Sequence, residues 1–282
     1  MINALTIDLE DWYQTQDFNF RPEEWTKFES RIEYSTKIIL DKLSCNNIKA
    51  TFFILGDIAE KHPELIREVV SLGHEIGSHG NKHRMLNSLS RQEFRDDLLI
   101  SKKILEDITG KSIFSFRAPT WSISSNTLWA LEILEEEGFS CDSSMQPFKT
   151  PISGMNGIPV TPFYPEIGQK KLKILEFPPT VLKTGWLHIP FAGGLYLRIM
   201  PYCLLCNALK KVNKTNPGLV YIHPWEVDTG QPRLRVPVHI KASHYLNINT
   251  TQNKLDKLFR DFEFKPLGEL IKAGSYPSFS LD

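Results

Sequence analysis

The sequence predicts an α/β fold of parallel strands with helices packed outside them. Two patterns carry that expectation. Short apolar runs alternate with helical-period segments through the first half of the chain, and polar, chemistry-bearing residues follow the ends of the runs. Size agrees. The 282 residues, 41% of them hydrophobic, suffice for one large core, and single α/β barrels commonly reach about 250 residues.

Residues 4–10, ALTIDLE, form a β-branched strand ending in acids. Residues 35–47 have helical apolar spacing, and 49–56, KATFFILG, are a continuous apolar run short enough for a buried strand. Residues 62–73 start with a proline near a helix N-terminus and stop at Gly73, and 74–79, HEIGSH, read as the next strand. Residues 88–110 are a long amphipathic helix that Ser88 or Ser90 can cap and Gly110 closes. Residues 112–119 are a strand stopped by Pro119, 124–139 a helix, and SCDSS a short segment after it. Near the other end, GLVYIHPWEVD (218–228) is one more apolar strand, delivering His223. This rhythm implies parallel pairing through right-handed crossovers, with chemistry gathered where strands end. Residues 145–190 are rich in Pro and Gly and carry no readable period; the tail from about Leu246 holds one amphipathic helix, NKLDKLFRDF. No repeat or shift in composition marks a boundary. The expectation is a single domain over 1–282, with an extension from about residue 226.

Charge is balanced, 33 basic against 33 acidic residues, so no bulk electrostatic grip on nucleic acid is expected. The six tryptophans suit a carbohydrate-handling protein, although most belong in a core. The N-terminal stretch MINALTIDLEDWYQ lacks a basic region followed by an apolar one, and no apolar run reaches membrane-spanning length. Both features predict a cytoplasmic protein without a transmembrane segment. Cys45, Cys141, Cys203 and Cys206 show no disulfide framework. The CxxC at 203–206 lies in an apolar helical stretch without two further ligands, so buried structural thiols are expected.

Three of the eight histidines fall within GHEIGSHGNKHRML (73–86), with His79 and His83 four apart. That spacing suits one metal ion but also two solvated residues. The wider pattern decides. TIDLED, HGNKH, RAPTW, Asp142 within SCDSS, and VYIHP resemble, in order, the five motifs of the polysaccharide deacetylases, NodB-type carbohydrate esterases with a distorted (β/α) barrel. FAGGLYLRIMPY (191–202), HPWEVDTGQPR (223–233) and the tail are similar to a subgroup associated with bacterial exopolysaccharide biosynthesis.

The resemblance implies a metal-dependent N-deacetylase. A divalent ion, zinc first, with cobalt, nickel or iron also compatible, would sit on His79, His83 and one carboxylate. The family's commonest first motif has adjacent aspartates; here it reads Asp8-Leu9-Glu10-Asp11. Asp8 matches the general base. Residues two apart on a strand share a face, which favours Glu10 over Asp11 as the carboxylate ligand. Arg117 would hold Asp8 ionised, and Asp142 would hold Arg117. The Thr120 main-chain N–H would face the oxyanion, where the family often has Tyr. Trp121 is a groove wall or a core residue. His223 would protonate the leaving nitrogen. Trp225 and Glu226 would lie at the groove mouth, and Arg198 would touch substrate; His74 reads as structural.

The substrate would be an N-acetylated sugar polymer or a lipid-linked or oligosaccharide precursor. Two rivals keep the fold: an amidohydrolase opening a cyclic imide or ureide, and a degenerate carbohydrate-binding protein. A third, a non-haem iron oxygenase, shares the ligand types but gives His223 and the Arg117–Asp8 pair no task.

Overall fold

The chain enters its main sheet at once. In the computed structural model, which describes residues 1–281, β1 (Asn3–Leu9) is buried along its whole length. An aromatic-rich loop leads to α1 (Ile32–Cys45), β2 (Thr51–Ile54), α2 (Gly56–Lys61), α3 (Pro63–Ser71) and β3 (Glu75–Ser78). Then come α4 (Arg91–Thr109), β4 (Ser115–Phe116), α5 (Trp129–Glu136) and β5 (Cys141–Asp142). The stretch without sequence period folds as β6 (Tyr164–Ile167), β7 (Lys170–Lys171), β8 (Leu175–Glu176), and a hairpin of β9 (Val181–Thr184) and β10 (Leu187–Pro190). It is followed by α6 (Gly194–Ile199), α7 (Tyr202–Val212) and β11 (Leu219–Ile222). The tail is richer than the one expected helix: α8 (Val238–Tyr245), α9 (Ile248–Asp261), β12 (Phe264–Lys265), α10 (Leu267–Ala273) and β13 (Ser278–Ser280).

The main sheet has the order β11-β1-β2-β3-β4-β5-β8, with β12 also on β1, and every pairing is parallel. Helices cover it, as a parallel sheet buried on both faces requires. No strand ladder joins β8 to β11. Thr180 bridges the gap instead: its N–H donates to Leu219 O at 3.4 Å, and its Oγ1 accepts from Leu219 N at 2.5 Å. The result is the distorted, incomplete barrel the sequence predicts.

Leu5, Ile7, Leu9, Phe52, Ile54 and Phe116 from the strands pack with Ile39, Leu43, Ile66, Val69, Leu98 and Leu105 from the helices in one core. At Gly77 a Cβ would lie 2.6 Å from Phe53 and Ser115 side-chain atoms, so only glycine lets β3 sit this close to its neighbours. The long helix begins and ends where its sequence predicts: Ser90 and Glu93 form a reciprocal capping box, and Gly110 closes it with φ 65°. The cysteines divide. Cys141 and Cys206 are buried, but Cys45 and Cys203 are exposed. α7 buries Leu205, Cys206, Ala208 and Leu209, and Cys203 lies in its first turn outside that face.

Candidate active site

The polar residues following β1, β3, β4 and β11 converge in one pocket of about 230 Å³. A larger cavity, about 730 Å³, lies elsewhere against Met1, Lys265 and Tyr276 and holds none of these side chains.

The chain turns directly after β1, with Glu10 N–H donating to Asp8 O at 3.0 Å, yet both carboxyl groups line the pocket. Past β3, positive φ at Gly80 and His83 (74° and 49°) curls the loop so that His83 returns beside His79. Glu10 Oε2 lies 2.7 Å from His83 Nε2 and 3.9 Å from His79 Nε2. One ligand atom from each of the three residues lies within 4.8 Å of the others. His79 Nδ1 lies 2.8 Å from the Arg117 carbonyl; as the donor there, it leaves the Nε2 lone pair free. Burial holds the His79 pKa down at about 4, so the ring is neutral. Burial alone would raise Glu10, but His83, His223 and His79 outweigh it and keep the carboxylate ionised. Glu10 Oε2 is buried, with the two imidazole nitrogens facing it. Two imidazole nitrogens and a carboxylate oxygen converging on one point fit a divalent cation.

Asp11 is not a competing ligand. It accepts from Ser30 Oγ (2.6 Å), Trp12 N (2.9 Å) and Arg31 N (3.0 Å), pinning the loop before α1.

Arg117, fully buried, holds the base side. Its Nη1 donates to Asp8 Oδ1 at 2.5 Å and to Thr6 Oγ1 at 2.8 Å. Its guanidinium lies 4.3 Å from the ring centres of both Phe53 and Trp121. The expected Asp142 contact is not made. Arg117 instead donates to the carbonyl and hydroxyl oxygens of Ser143, at 3.1 and 2.9 Å. Side chains alternate along a strand, so the residue after Asp142 is the one that reaches Arg117. Asp142 accepts from Ser144 Oγ and pairs with Glu176, its register partner on β8. Burial raises both pKa values, and the neighbouring Asp142 charge pushes Glu176 up further above the usual carboxylate range.

The acid side is built differently. His223 Nε2 lies 3.8 Å from both Asp8 Oδ2 and Glu10 Oε1. Its Nδ1 lies 2.7 Å from Glu226 Oε1, and Glu226 Oε2 lies 2.9 Å from Arg198 Nε. Burial would lower the His223 pKa, but Glu226, Glu10 and Asp8 outweigh it and hold it up at about 9. Arg198 reaches the pocket lining, but its guanidinium is taken up within the protein. It is 1% exposed, and its remaining nitrogens donate to the carbonyls of Ser243, His244 and Leu246. Trp225 lines the pocket while 5% exposed, and Glu226 is fully buried behind His223. The Trp225 ring stacks between His223 and His244, and its Nε1 donates to Glu10 Oε1 at 3.2 Å. The strand expected over 218–228 ends at Ile222, and a compact turn over Pro224–Val227 takes its place.

Thr120 and Trp121 line the pocket in a bend with φ 56° and 54°, a conformation bulky residues adopt only when their surroundings impose it. Trp121 is both wall and core: it lines the pocket, is 7% exposed, and packs edge-on against Tyr221. His74 is structural, its Nδ1 accepting from Ala50 N at 3.2 Å. Sequence reasoning missed the Glu226 contact, Tyr221, and Asp17, which lines the pocket beside Ser243. An acid three residues after a histidine is a turn signature that could have revealed Glu226.

Fold and site together define a parallel-stranded barrel protein with a candidate metal centre between a carboxylate and an imidazolium. The chain carries a polysaccharide deacetylase domain of the NodB, or CE4, type. Residues 25–138 match the polysaccharide deacetylase model, and residues 143–272 match a domain of unknown function, DUF3473. A peptidoglycan-N-acetylglucosamine deacetylase of Bacillus cereus is 32% identical over 124 residues, 40% of this chain and 45% of that protein. The chain thus matches less than half of that relative's length. The fold is similar to the crystal structure of a candidate polysaccharide deacetylase from Mycobacterium smegmatis, with a TM-score of 0.63 and 18% identity over 96% of this chain and 89% of that one. It is also similar to a mutant, with restored activity, of a CE4 family pseudoenzyme from Bacillus anthracis (TM-score 0.51, 16% identity, 99% and 69% covered). The main sheet crosses the junction of the two matched segments, since β4 lies in the first and β8 and β11 in the second.

Proposed function

We propose that the protein is a metal-dependent hydrolase that removes N-acetyl groups from an amino sugar of a polysaccharide or its precursor, within exopolysaccharide biosynthesis. The observation that carries the reading is the juxtaposition of a convergent Glu10–His79–His83 ligand set with the Arg117-held Asp8 carboxyl group on one side and the Glu226-held His223 imidazole on the other. The B. cereus relative acts on N-acetylglucosamine in peptidoglycan, which supports an amino-sugar amide over a cyclic imide. Likeness of residues 191–202 and 223–233 to the exopolysaccharide subgroup supports that setting.

Glu10, His79 and His83 would hold the ion, zinc in the first instance, which when bound supplies Lewis-acid polarisation of the amide and a more acidic water. Asp8, oriented by Arg117, is placed to accept the proton of the water that attacks the acetyl carbon. The Thr120 main-chain N–H donates to the developing oxyanion. His223, cationic at neutral pH, delivers its proton to the departing nitrogen, so the C–N bond breaks to give acetate and a free amine.

Elemental analysis of the purified protein, followed by acetate release from N-acetylhexosamine oligomers with and without chelator, tests this. About one divalent ion per chain and chelator-sensitive acetate release are expected. Metal-replete protein that binds oligomers without turnover would move it to the pseudoenzymes, and ring opening without acetate release would move it to the imide hydrolases.

A further inference from the structure

The hairpin β9–β10, α6 and α7 form a surface unlike the rest of the molecule. At the hairpin tip Trp186 is 93% exposed and Leu187 46%. Ile199 at the end of α6 and Leu204 on α7 are 44% and 55% exposed. Between hairpin and α7 runs an apolar groove of about 320 Å³ lined by Leu182, Ile189, Phe191, Met200 and Leu204, with Lys211 at its edge. Solvent-facing apolar side chains scattered singly need no explanation, but Leu204 opens onto this groove, Trp186 and Leu187 cap the hairpin that forms one of its walls, and Ile199 precedes its lining residue Met200.

Charge along the segment that forms this surface has one sign. No Asp or Glu occurs between Glu176 and Glu226, in a chain otherwise balanced at 33 basic and 33 acidic residues. The same interval carries Lys183, Lys210, Lys211 and Lys214, all exposed, besides the internal Arg198. Asp261 of α9, which meets α7 at Tyr202, is taken up by Arg260.

We propose that this surface docks the protein on an anionic lipid membrane. Tryptophan at a projecting tip seats at the headgroup level, aliphatic neighbours bury in the acyl boundary, and the lysine rim meets lipid charge. A second copy fits less well, because a two-fold self-contact would set lysines against lysines. A sugar fits less well too, since Asn207 and Lys211 are the only polar residues lining the groove and sugar sites need several convergent polar groups. Through α6 the surface adjoins the catalytic pocket, which Gly194 and Leu195 line. Docking would therefore hold the pocket rim beside the bilayer, within reach of glycans attached there. The inference does not depend on hydrolase activity.

The test is flotation of the full-length chain with phosphatidylcholine vesicles, with and without phosphatidylglycerol, while tryptophan emission is followed. Retention on anionic vesicles only, weakened by salt, with a blue shift absent in Trp186→Phe, is expected. Neutralising Lys210 or Lys211 to Gln should weaken binding about fivefold each. Trp186→Ser with Leu187→Ser should abolish flotation while leaving thermal midpoint and acetate release on soluble oligomers unchanged. Absence of flotation, or equal binding to neutral vesicles, overturns the proposal. So does a dimer in solution that Trp186→Ser disperses, or oligosaccharide binding that depends on Trp186.

Discussion

The two sides of the pocket use the same cation to opposite ends. On the side supplied by β1 and β4, Arg117 touches Asp8 directly, a single link from guanidinium to carboxyl group. On the side supplied by α6 and β11, Glu226 stands between Arg198 and His223. The extra link reverses the outcome: the arginine holds a carboxylate, and the carboxylate holds an imidazolium. Proton acceptor and proton donor are thus set apart by the number of links in the chain behind each, although their reacting atoms lie 3.8 Å apart. Of the first side, Asp8 precedes the deacetylase match and Arg117 lies within it, while the second lies wholly in the segment matched to a domain of unknown function.

The largest expected break of this symmetry is Asp8→Asn, which keeps shape but removes the acceptor. Acetate release should fall roughly 10³-fold with metal content near wild type, since Asp8 is outside the ligand set. Near-normal turnover would remove it as base. Next is His223→Ala, expected to cost roughly 10²-fold while metal and thermal midpoint hold; an unaltered rate would leave the second side without a function. Glu226→Gln sharpens the comparison by cutting the extra link. A smaller loss, on the order of tenfold, is expected at neutral pH. The activity lost as His223 deprotonates, near pH 9 in the native chain, should now be lost at lower pH, because a charge holding the proton is gone. An unmoved alkaline limb would contradict the two-link account.

The smallest effect concerns stability and the Asp142–Glu176 pair behind Arg117. Burial raises Asp142 from 3.8 to about 6 and Glu176 further. A raised carboxyl pKa means the folded state holds protons the unfolded chain releases. The pair's contribution is therefore complete below about pH 4 and lost as pH climbs through 6 and beyond. Glu176→Gln should flatten that decline in thermal midpoint by a few degrees; an unchanged slope would show that the proton is not held there.

Much of this was legible in residues alone. Buried parallel strands announce themselves as continuous apolar runs, so β1, β2, β3 and β11 and the acids and histidines at their ends could be placed. Strand parity pointed to Glu10, which does stand beside His79 and His83, although the chain has already turned at that residue. What failed were contacts that depend on packing between distant segments. Arg198 meets Glu226 across two helices and a strand, and nothing in either neighbourhood encodes the meeting. Asp142 was assigned one position too early, because a two-residue strand has too little pattern to reveal which side chain faces inward. The hairpin after β8 was opaque because its glycines and prolines interrupt any period.

One contact has a wider reach than its size. The carbonyl of Arg117 fixes the ring of His79, while its guanidinium fixes Asp8. A single residue at the end of β4 thereby registers both the cation's seat and the proton acceptor. A shift at that strand end would misalign the two together, so metal preference and catalytic rate cannot drift independently in this protein's evolution. A laboratory effort to change one should expect to retune the other.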